Sequence, residues 1–296
     1  METQSKLDRL LIESRIASGF SRGSAMSALR TIDPSVPLSW EFGAFSQHSE
    51  DGILEYLINN LLSCDKYFLE IAAGDGLENC TAWLALAEKW SGVMVEGDYD
   101  LAEHCRRVYQ NRIWNVVVKN CFVNSQNIEE ILNAIPIRDF DVFSLDIDSI
   151  DYHILKATID YGFTPKIIVL EYNSAFGPDN CITVPYKPAF NRWVEHPAGI
   201  YYGASLAAFR NLLEKKGYHF VTVESSGTNA FFANRRYFDP AFLASLDCLS
   251  FAENATDINK TTSTIGMDGK VSKLLKTNWT KQFEIIKDMD FQFIDS

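Results

Sequence analysis

Five short apolar runs, each closing on or beside a polar or acidic residue, occupy the middle of the chain: Tyr67–Ala72, Gly92–Glu96, Trp114–Val118, Asp141–Asp146 and Lys166–Glu171. Runs this short and continuous fit strands buried on both faces. The gaps between them hold helices, and parallel neighbours need such crossovers, which are right-handed almost without exception. Two further runs, Tyr218–Glu224 and Asn229–Tyr237, flank Ser225-Ser226-Gly227-Thr228 and read as an antiparallel hairpin that closes the sheet edge. The expected fold is α/β: a doubly wound, mostly parallel, seven-stranded sheet with an antiparallel terminal hairpin and added N- and C-terminal helical segments. Ligands of such sheets bind at the strands' carboxyl ends.

The 296 residues, 47% hydrophobic and 22% charged, suffice for a sizeable core. The pattern divides them into an N-terminal helical extension (1–45), the sheet domain (46–238) and a C-terminal extension (239–296). The spacing of Leu7, Leu10, Leu11 and Ile16 puts most of these apolar groups on one face of a helix over residues 5–17, and Ile53, Leu54, Leu57, Ile58, Leu61 and Leu62 mark a second. Residues Asn173–Gly203 are irregular and rich in proline and aromatics, helix returns at Ser205–Lys216, and a last amphipathic segment covers Leu274–Ile286. No internal repeat is present.

Lys plus Arg is 27 against 39 Asp plus Glu, a formal charge of −12, which argues against nucleic acid and anionic membranes as partners. The N-terminus alternates charge with Leu and forms no signal-peptide core, so a cytoplasmic protein is expected. Six scattered cysteines, without close pairs, fit reduced thiols. The triplets Asn254-Ala-Thr256 and Asn259-Lys-Thr261 then carry no weight as glycosylation sites. A homo-oligomer formed through the terminal extensions is compatible with this organisation.

The most informative segment is Phe68-Leu-Glu70-Ile-Ala72-Ala-Gly74-Asp75-Gly76-Leu-Glu-Asn79, followed by Glu96-Gly97-Asp98 at the end of the next strand. Glycines let backbone approach a nucleoside closely, and a carboxylate such as Glu96 can accept from both ribose hydroxyls. A dinucleotide fingerprint needs a small residue where Asn79 stands, and Glu70 would repel a pyrophosphate while suiting a cationic amino or sulfonium group. Glu70, Glu96 and the two glycines are expected to form one cradle for a cationic methyl donor.

The pattern Glu70-x-Ala72-x-Gly74-x-Gly76 resembles the acid-x-Gly-x-Gly-x-Gly motif of class I S-adenosylmethionine-dependent methyltransferases, with Ala72 in place of the first glycine. Glu50-Asp51-Gly52, Asp146-Ile-Asp148-Ser-Ile-Asp151-Tyr152 and Glu171-Tyr172-Asn173 look like the FkbM-like branch, over residues 45–235. The resemblance implies a Rossmann-like fold and S-adenosyl-L-methionine as cofactor. It implies that Glu70, Gly74 and Gly76 hold the methionine end, that Glu96 holds the ribose and that Asn120 approaches adenine, with Ala72, Asp75, Asn79, Gly97 and Asp146 as further cofactor contacts. The implied acceptor is a small-molecule or sugar hydroxyl. An NAD-dependent oxidoreductase and a non-catalytic nucleoside-binding protein are the alternatives.

Asp146, Glu171 and Asn173 stand at neighbouring strand ends, where they either hold Mg²⁺ or cap helices and bond backbone amides. His153 and His196 have the intrinsic pKa of a general base, and each has an equally good structural role. Tyr172, Phe176, Trp193, Tyr201 and Tyr202 either line an acceptor pocket or form a local core. Gln47, His48 and Asp51 either close over the cofactor or belong to a helix start capped by Ser49-Glu50-Asp51. No Gly-x-Ser-x-Gly elbow, phosphate loop or His-Glu-x-x-His motif is present, and Arg106-Arg107 and Arg235-Arg236 read as solvated faces.

Overall fold

The computed structural model describes residues 2–109, 115–254, 263–265, 271–273 and 278–295. Seven strands form the central sheet: β1 (Tyr67–Ile71), β2 (Ser91–Glu96), β3 (Val116–Asn120), β4 (Val142–Leu145), β5 (Ile167–Glu171), β7 (Tyr218–Val223) and β8 (Asn229–Asn234). A two-residue strand, β6 (Ile182–Thr183), lies outside it and pairs with β11 (Gln292–Phe293), and β9 (Ser263–Ile265) pairs antiparallel with β10 (Val271–Lys273). The sheet order is β3-β2-β1-β4-β5-β8-β7, with the first five strands parallel and β8 antiparallel to both its neighbours. This is the expected seven-stranded, mostly parallel sheet closed by an antiparallel hairpin. The order reverses at β1, so β1 and β4 flank the crevice where a ligand is expected.

Strand residues alternate between two cores, one on each face. Leu69, Ile71, Val93, Val95, Phe143 and Leu170 enter one. Phe68, Met94, Val142 and Val169 enter the other, with Ile12, Ile16, Trp40 and Trp83. Glu70 therefore shares a face with Phe68 and points toward the N-terminal segments.

Helix α1 (Glu2–Leu29) runs well past the expected 5–17, and α2 (Glu50–Ile58) stops before Leu61 and Leu62. Between the strands come α3 (Ala82–Leu86), α4 (Tyr99–Tyr109), α5 (Ile128–Leu132) and α6 (Asp151–Asp160). α4 buries Ala102, Cys105, Val108 and Tyr109, a spacing of three, three and one that gives it a single apolar stripe. The stretch expected to be irregular carries α7 (Arg192–Glu195), whose Trp193 and Val194 amides are capped by the Asn191 side chain. α8 (Leu206–Lys215) follows, capped by Ser205, and then α9 (Pro240–Ser245) and α10 (Trp279–Ile286). Trp114 and residues 274–277, expected in a strand and a helix, lie outside the described residues, as do Thr256 and Asn259-Lys-Thr261. The six cysteines are free thiols.

At the opposite end of the sheet, Lys166 is buried between Asp141 (2.9 Å) and Asp65 (2.6 Å) and also donates to the Ser63 carbonyl. This pair ties β5 to the start of β1, where Asp141 accepts from the Asp65 and Tyr67 amides. No helix among the described residues is long and apolar enough to cross a membrane.

Candidate active site

Two cavities open at the carboxyl ends of the strands, and Ala72 lines both. The larger, about 550 Å³, is bounded by Val95, Glu96 and Gly97 at the end of β2, by Cys121 and Phe122 after β3, by Ile147–Ile150 after β4, and by 188–193 as its outer wall. The smaller, about 140 Å³, lies between Gln47, His48 and Glu50 on one side and Gly74, Glu78, Asn79 and Cys80 on the other, with Asp146 and Asn229 beside them.

The turn after β1 is built for close approach. Gly74 has φ +56, and a side chain there would meet only open space, so bare backbone faces the cavity. Gly76 (φ +80) serves packing, since a Cβ would lie 2.8 Å from Cys105 Sγ, and it lines neither cavity. Ala72 is left-handed at φ +68, the conformation for which a glycine would be the ordinary choice, held as its amide and that of Ala73 both donate to the Val95 carbonyl.

Glu70 and Glu96 do not share one cradle: Glu70 lines the smaller cavity and Glu96 the larger. Glu70 is fully engaged by the turn at 79–81, accepting from Asn79 Nδ2, Thr81 Oγ1, the Cys80 amide (2.9 Å) and the Thr81 amide (3.2 Å). Burial lifts its carboxyl above the ordinary range in spite of these donors. Because Asn79 turns its amide nitrogen to Glu70, its Oδ1 points away, buried and without a donor. Glu96 accepts from the Gly74 amide (2.8 Å) and the Asp98 amide (2.8 Å), one on each oxygen, which leaves a lone pair on each toward the larger cavity.

The other expected cofactor contacts are dispersed. Gly97 lines the larger cavity, and a Cβ there would run into the Phe122 ring at 2.6 Å, so this ring seats on the glycine. Asn120 lines neither cavity; its Nδ2 joins the Glu96 and Gly97 carbonyls at 2.9 Å each and so fixes the strand ends. Asp75 turns outward to accept from the Leu77 amide and from Arg15.

Asp146, Asp148 and Glu171 bring three carboxylates together, with ligand oxygens all within 4.8 Å of one another. Glu171 Oε1 accepts from the Tyr202 hydroxyl at 3.1 Å, and Oε2 is buried with no donor. Burial and the Asp146 charge hold the Glu171 carboxyl well above its usual range; burial and Asp148 do the same for Asp146. Oxygens so placed need a proton or a cation between them, and the donor set fits a hard cation. Asn173, expected in this group, does not join it. Its Oδ1 accepts from Ala175 and its Nδ2 donates to the Ile200 and Tyr202 carbonyls, so it organises the loop. Asp148, which replaces it, sits at φ +53 in a turn stapled by Asp151, whose oxygens accept from Ile147 and Ser149. Arg192 pairs with Asp148 and lies over the Tyr202 ring at 4.0 Å.

His153 and His196 line neither cavity. His153 Nε2 is 2.9 Å from the Val184 carbonyl, so that nitrogen carries the hydrogen, and burial lowers its pKa. The His196 ring accepts from the Ala198 amide. Of the expected acceptor-pocket residues, Trp193 lines the larger cavity and Tyr202 stands beside the acids. The Tyr172 hydroxyl instead donates to the Ala252 carbonyl and that of Tyr201 to the Asp290 carbonyl, both rings in the core. Gln47 and His48 line the smaller cavity, whereas Asp51 is buried and accepts from the Ala44, Phe45 and Ser46 amides. Cys121, Phe122, Ser149 and the 188–191 wall had no sequence signal beyond their position after strand ends.

No protein-family model matches the chain, and no curated protein does. Among solved structures, an O-methyltransferase from Bacillus cereus in complex with SAH is 18% identical, with a TM-score of 0.42 over 78% of this chain and 97% of that one. A SAM-dependent methyltransferase from Thiobacillus denitrificans in complex with S-adenosyl-L-homocysteine is 14% identical, with a TM-score of 0.37 over 66% of this chain and 69% of the other. The CurJ carbon methyltransferase is 13% identical, with a TM-score of 0.43 over 79% and 70% of the respective chains.

Proposed function

We propose that this chain is an S-adenosylmethionine-dependent methyltransferase that acts on a hydroxyl of a small molecule or sugar. The observation that carries this reading is the pair of cavities meeting at Ala72, which suits an elongated ligand with a nucleoside at one end and a cationic tail at the other. Glu96 accepts from the ribose hydroxyls in the larger cavity, against the apolar walls of Val95, Ile147 and Phe122. The open backbone at Gly74 takes the tail in the smaller one, beside Asn79, and Glu70 acts by holding that asparagine in place. The bound donor supplies an electrophilic methyl group; the chain's task is alignment, because an in-line displacement depends above all on geometry.

Asp146, Asp148 and Glu171 stand where the acceptor hydroxyl would enter, and they would hold a divalent cation such as Mg²⁺, which lowers the pKa of a hydroxyl bound to it. With both histidines away from the cavities, these carboxylates are the groups that orient the acceptor. The FkbM-like motifs favour a carbohydrate or natural-product acceptor.

Calorimetry tests the reading: S-adenosylhomocysteine should bind and NADH should not. Tight NADH binding without S-adenosylhomocysteine binding overturns it. For the cation, turnover should fall on chelation and return with Mg²⁺; turnover indifferent to both removes the metal from the proposal.

A further inference from the structure

Helix α1 precedes the sheet unit, yet it touches the loop that forms one wall of the smaller cavity and the segment that leads into the other. On one side, Arg15 forks onto the loop after β1, Nη1 to Asp75 Oδ2 at 2.6 Å and Nη2 to Glu78 Oε1 at 3.0 Å. Asp75 lies between the two loop glycines, and Glu78 lines the cavity itself. On the other side, Gly19 and Gly23 let the helix descend onto the segment before α2. A Cβ on Gly19 would lie 2.4 Å from the Phe45 ring, and one on Gly23 would lie 2.5 Å from Trp83 and 2.6 Å from the Ala44 methyl. Arg22 donates to the Ala44 carbonyl. Arg30 pairs with Glu55 at 2.6 Å and donates to the Trp40 and Gly52 carbonyls.

The gripped segment is rigid where it meets the cavity. Asp51 Oδ2 gathers the amides of Ala44 (2.7 Å), Phe45 (2.8 Å) and Ser46 (2.9 Å), and Gln47 and His48 follow directly as cavity wall. Glu50, the last residue of that wall, is pinned by the His48 amide and by Asn229 Nδ2. One helix thus joins the 47–50 wall to the 74–80 wall, and Arg15 is the link on the loop side.

We infer that α1 is a positioning element of the smaller cavity, with Arg15 setting the distance between its walls, so that the helix selects ligands by their charged amino-acid tail. The inference rests on the methyl-donor reading above. Arg15 touches no reacting atom; it acts through Asp75 and Glu78. Its ion pair is partly exposed, so its effect is one of placement and is modest in size.

Two ligands separate placement from general stability: S-adenosylhomocysteine, which carries the amino-acid tail, and 5′-methylthioadenosine, which has the same nucleoside without it. Arg15→Ala should weaken the first about two- to fivefold, the range an exposed ion pair supports, and leave the second unchanged. Arg15→Lys should recover part of the loss. Asp75→Asn, which removes one of the two ion pairs from the loop side and lines neither cavity, should reproduce part of the selective loss if Arg15→Ala folds poorly. Equal weakening of both ligands, or unchanged binding of both, overturns the inference while the wild type still binds S-adenosylhomocysteine. Binding of neither ligand by the wild type overturns the methyl-donor reading, and this inference with it.

Discussion

Replacing Glu96 separates the anchoring of a loop from the ribose contact proposed for the same carboxylate. The side chain anchors the loop after β1 by accepting from the Gly74 and Asp98 amides, and it faces the larger cavity with a lone pair left on each oxygen. Glu96→Ala leaves both amides without an acceptor. Beside a cavity that water can enter, this should cost about 1–2 kcal/mol of stability, read as a lower midpoint in urea. Loss of a bidentate, charge-assisted contact to a ribose diol should cost a further 2–3 kcal/mol of binding, or about 30- to 150-fold in Kd. Glu96→Gln is the sharper probe. Its amide oxygen can keep one of the two loop anchors, while its NH₂ must face the other donor, so stability should fall less than in Glu96→Ala and affinity should still drop at least about tenfold. Calorimetry with S-adenosylhomocysteine gives the affinities. Stability reduced as expected with affinity unchanged would show that Glu96 is a loop anchor only, and the ribose assignment would be lost.

Ala72→Gly should stabilise the protein by about 0.5–1 kcal/mol, since relief of a left-handed alanine (φ +68) outweighs the added freedom of glycine in the unfolded chain; a lower urea midpoint refutes this. Burial pushes the Glu50 carboxyl from 4.5 up to about 8, with the Glu224 charge adding to it. The folded state therefore holds a proton that the unfolded state has released, so this group lowers stability progressively as pH rises from about 4.5 to about 8. Glu50→Gln should flatten that part of the Tm-against-pH curve, and parallel curves would mean that Glu50 ionises normally. Lys166→Ala strands Asp141 as a buried, uncompensated charge and should cost about 3 kcal/mol in urea unfolding, with ligand affinity unchanged because the pair lies at the far end of the sheet.

The strands were legible because both their faces are buried, which makes the apolar run continuous: β1, β2, β4 and β5 fall within a residue of their expected bounds at every end. Helix α1 was legible only as far as Ile16, because beyond it the helix packs through Gly19 and Gly23 against aromatic rings and through Arg22 and Arg30 onto carbonyls. Contacts of that kind leave no apolar periodicity to read. At the site, Glu70 and Glu96 look alike in sequence, each an acid near a strand end. What separates them is the local supply of donors: the Asn79-Cys80-Thr81 turn folds back on Glu70 and saturates it, whereas Glu96 meets one amide per oxygen. Asn173 and Asp148 were exchanged for the same reason, since the loop at 200–202 offers carbonyls that claim the Asn173 amide.

Charge around the two cavities decides between the ligand classes more firmly than the glycine pattern does. Glu96 and Asp148 line the larger cavity, and Glu70, Glu78 and Asp146 line the smaller beside a protonated Glu50, against Arg192 as the one Arg or Lys among the described lining residues. Arg192 is itself committed to Asp148 and the Gly199 carbonyl. A pyrophosphate would bring two negative charges into this surface with no free guanidinium or ammonium to meet them, and its approach would be opposed by acids on both sides of Ala72. The asparagines reinforce this bias. Asn79 and Asn229 each turn the NH₂ toward a buried glutamate, Glu70 and Glu50 respectively, so the amides spend their donors on the protein. A ligand in the smaller cavity therefore meets mainly oxygen, and the chemistry that satisfies such a surface is a cation with N–H groups of its own.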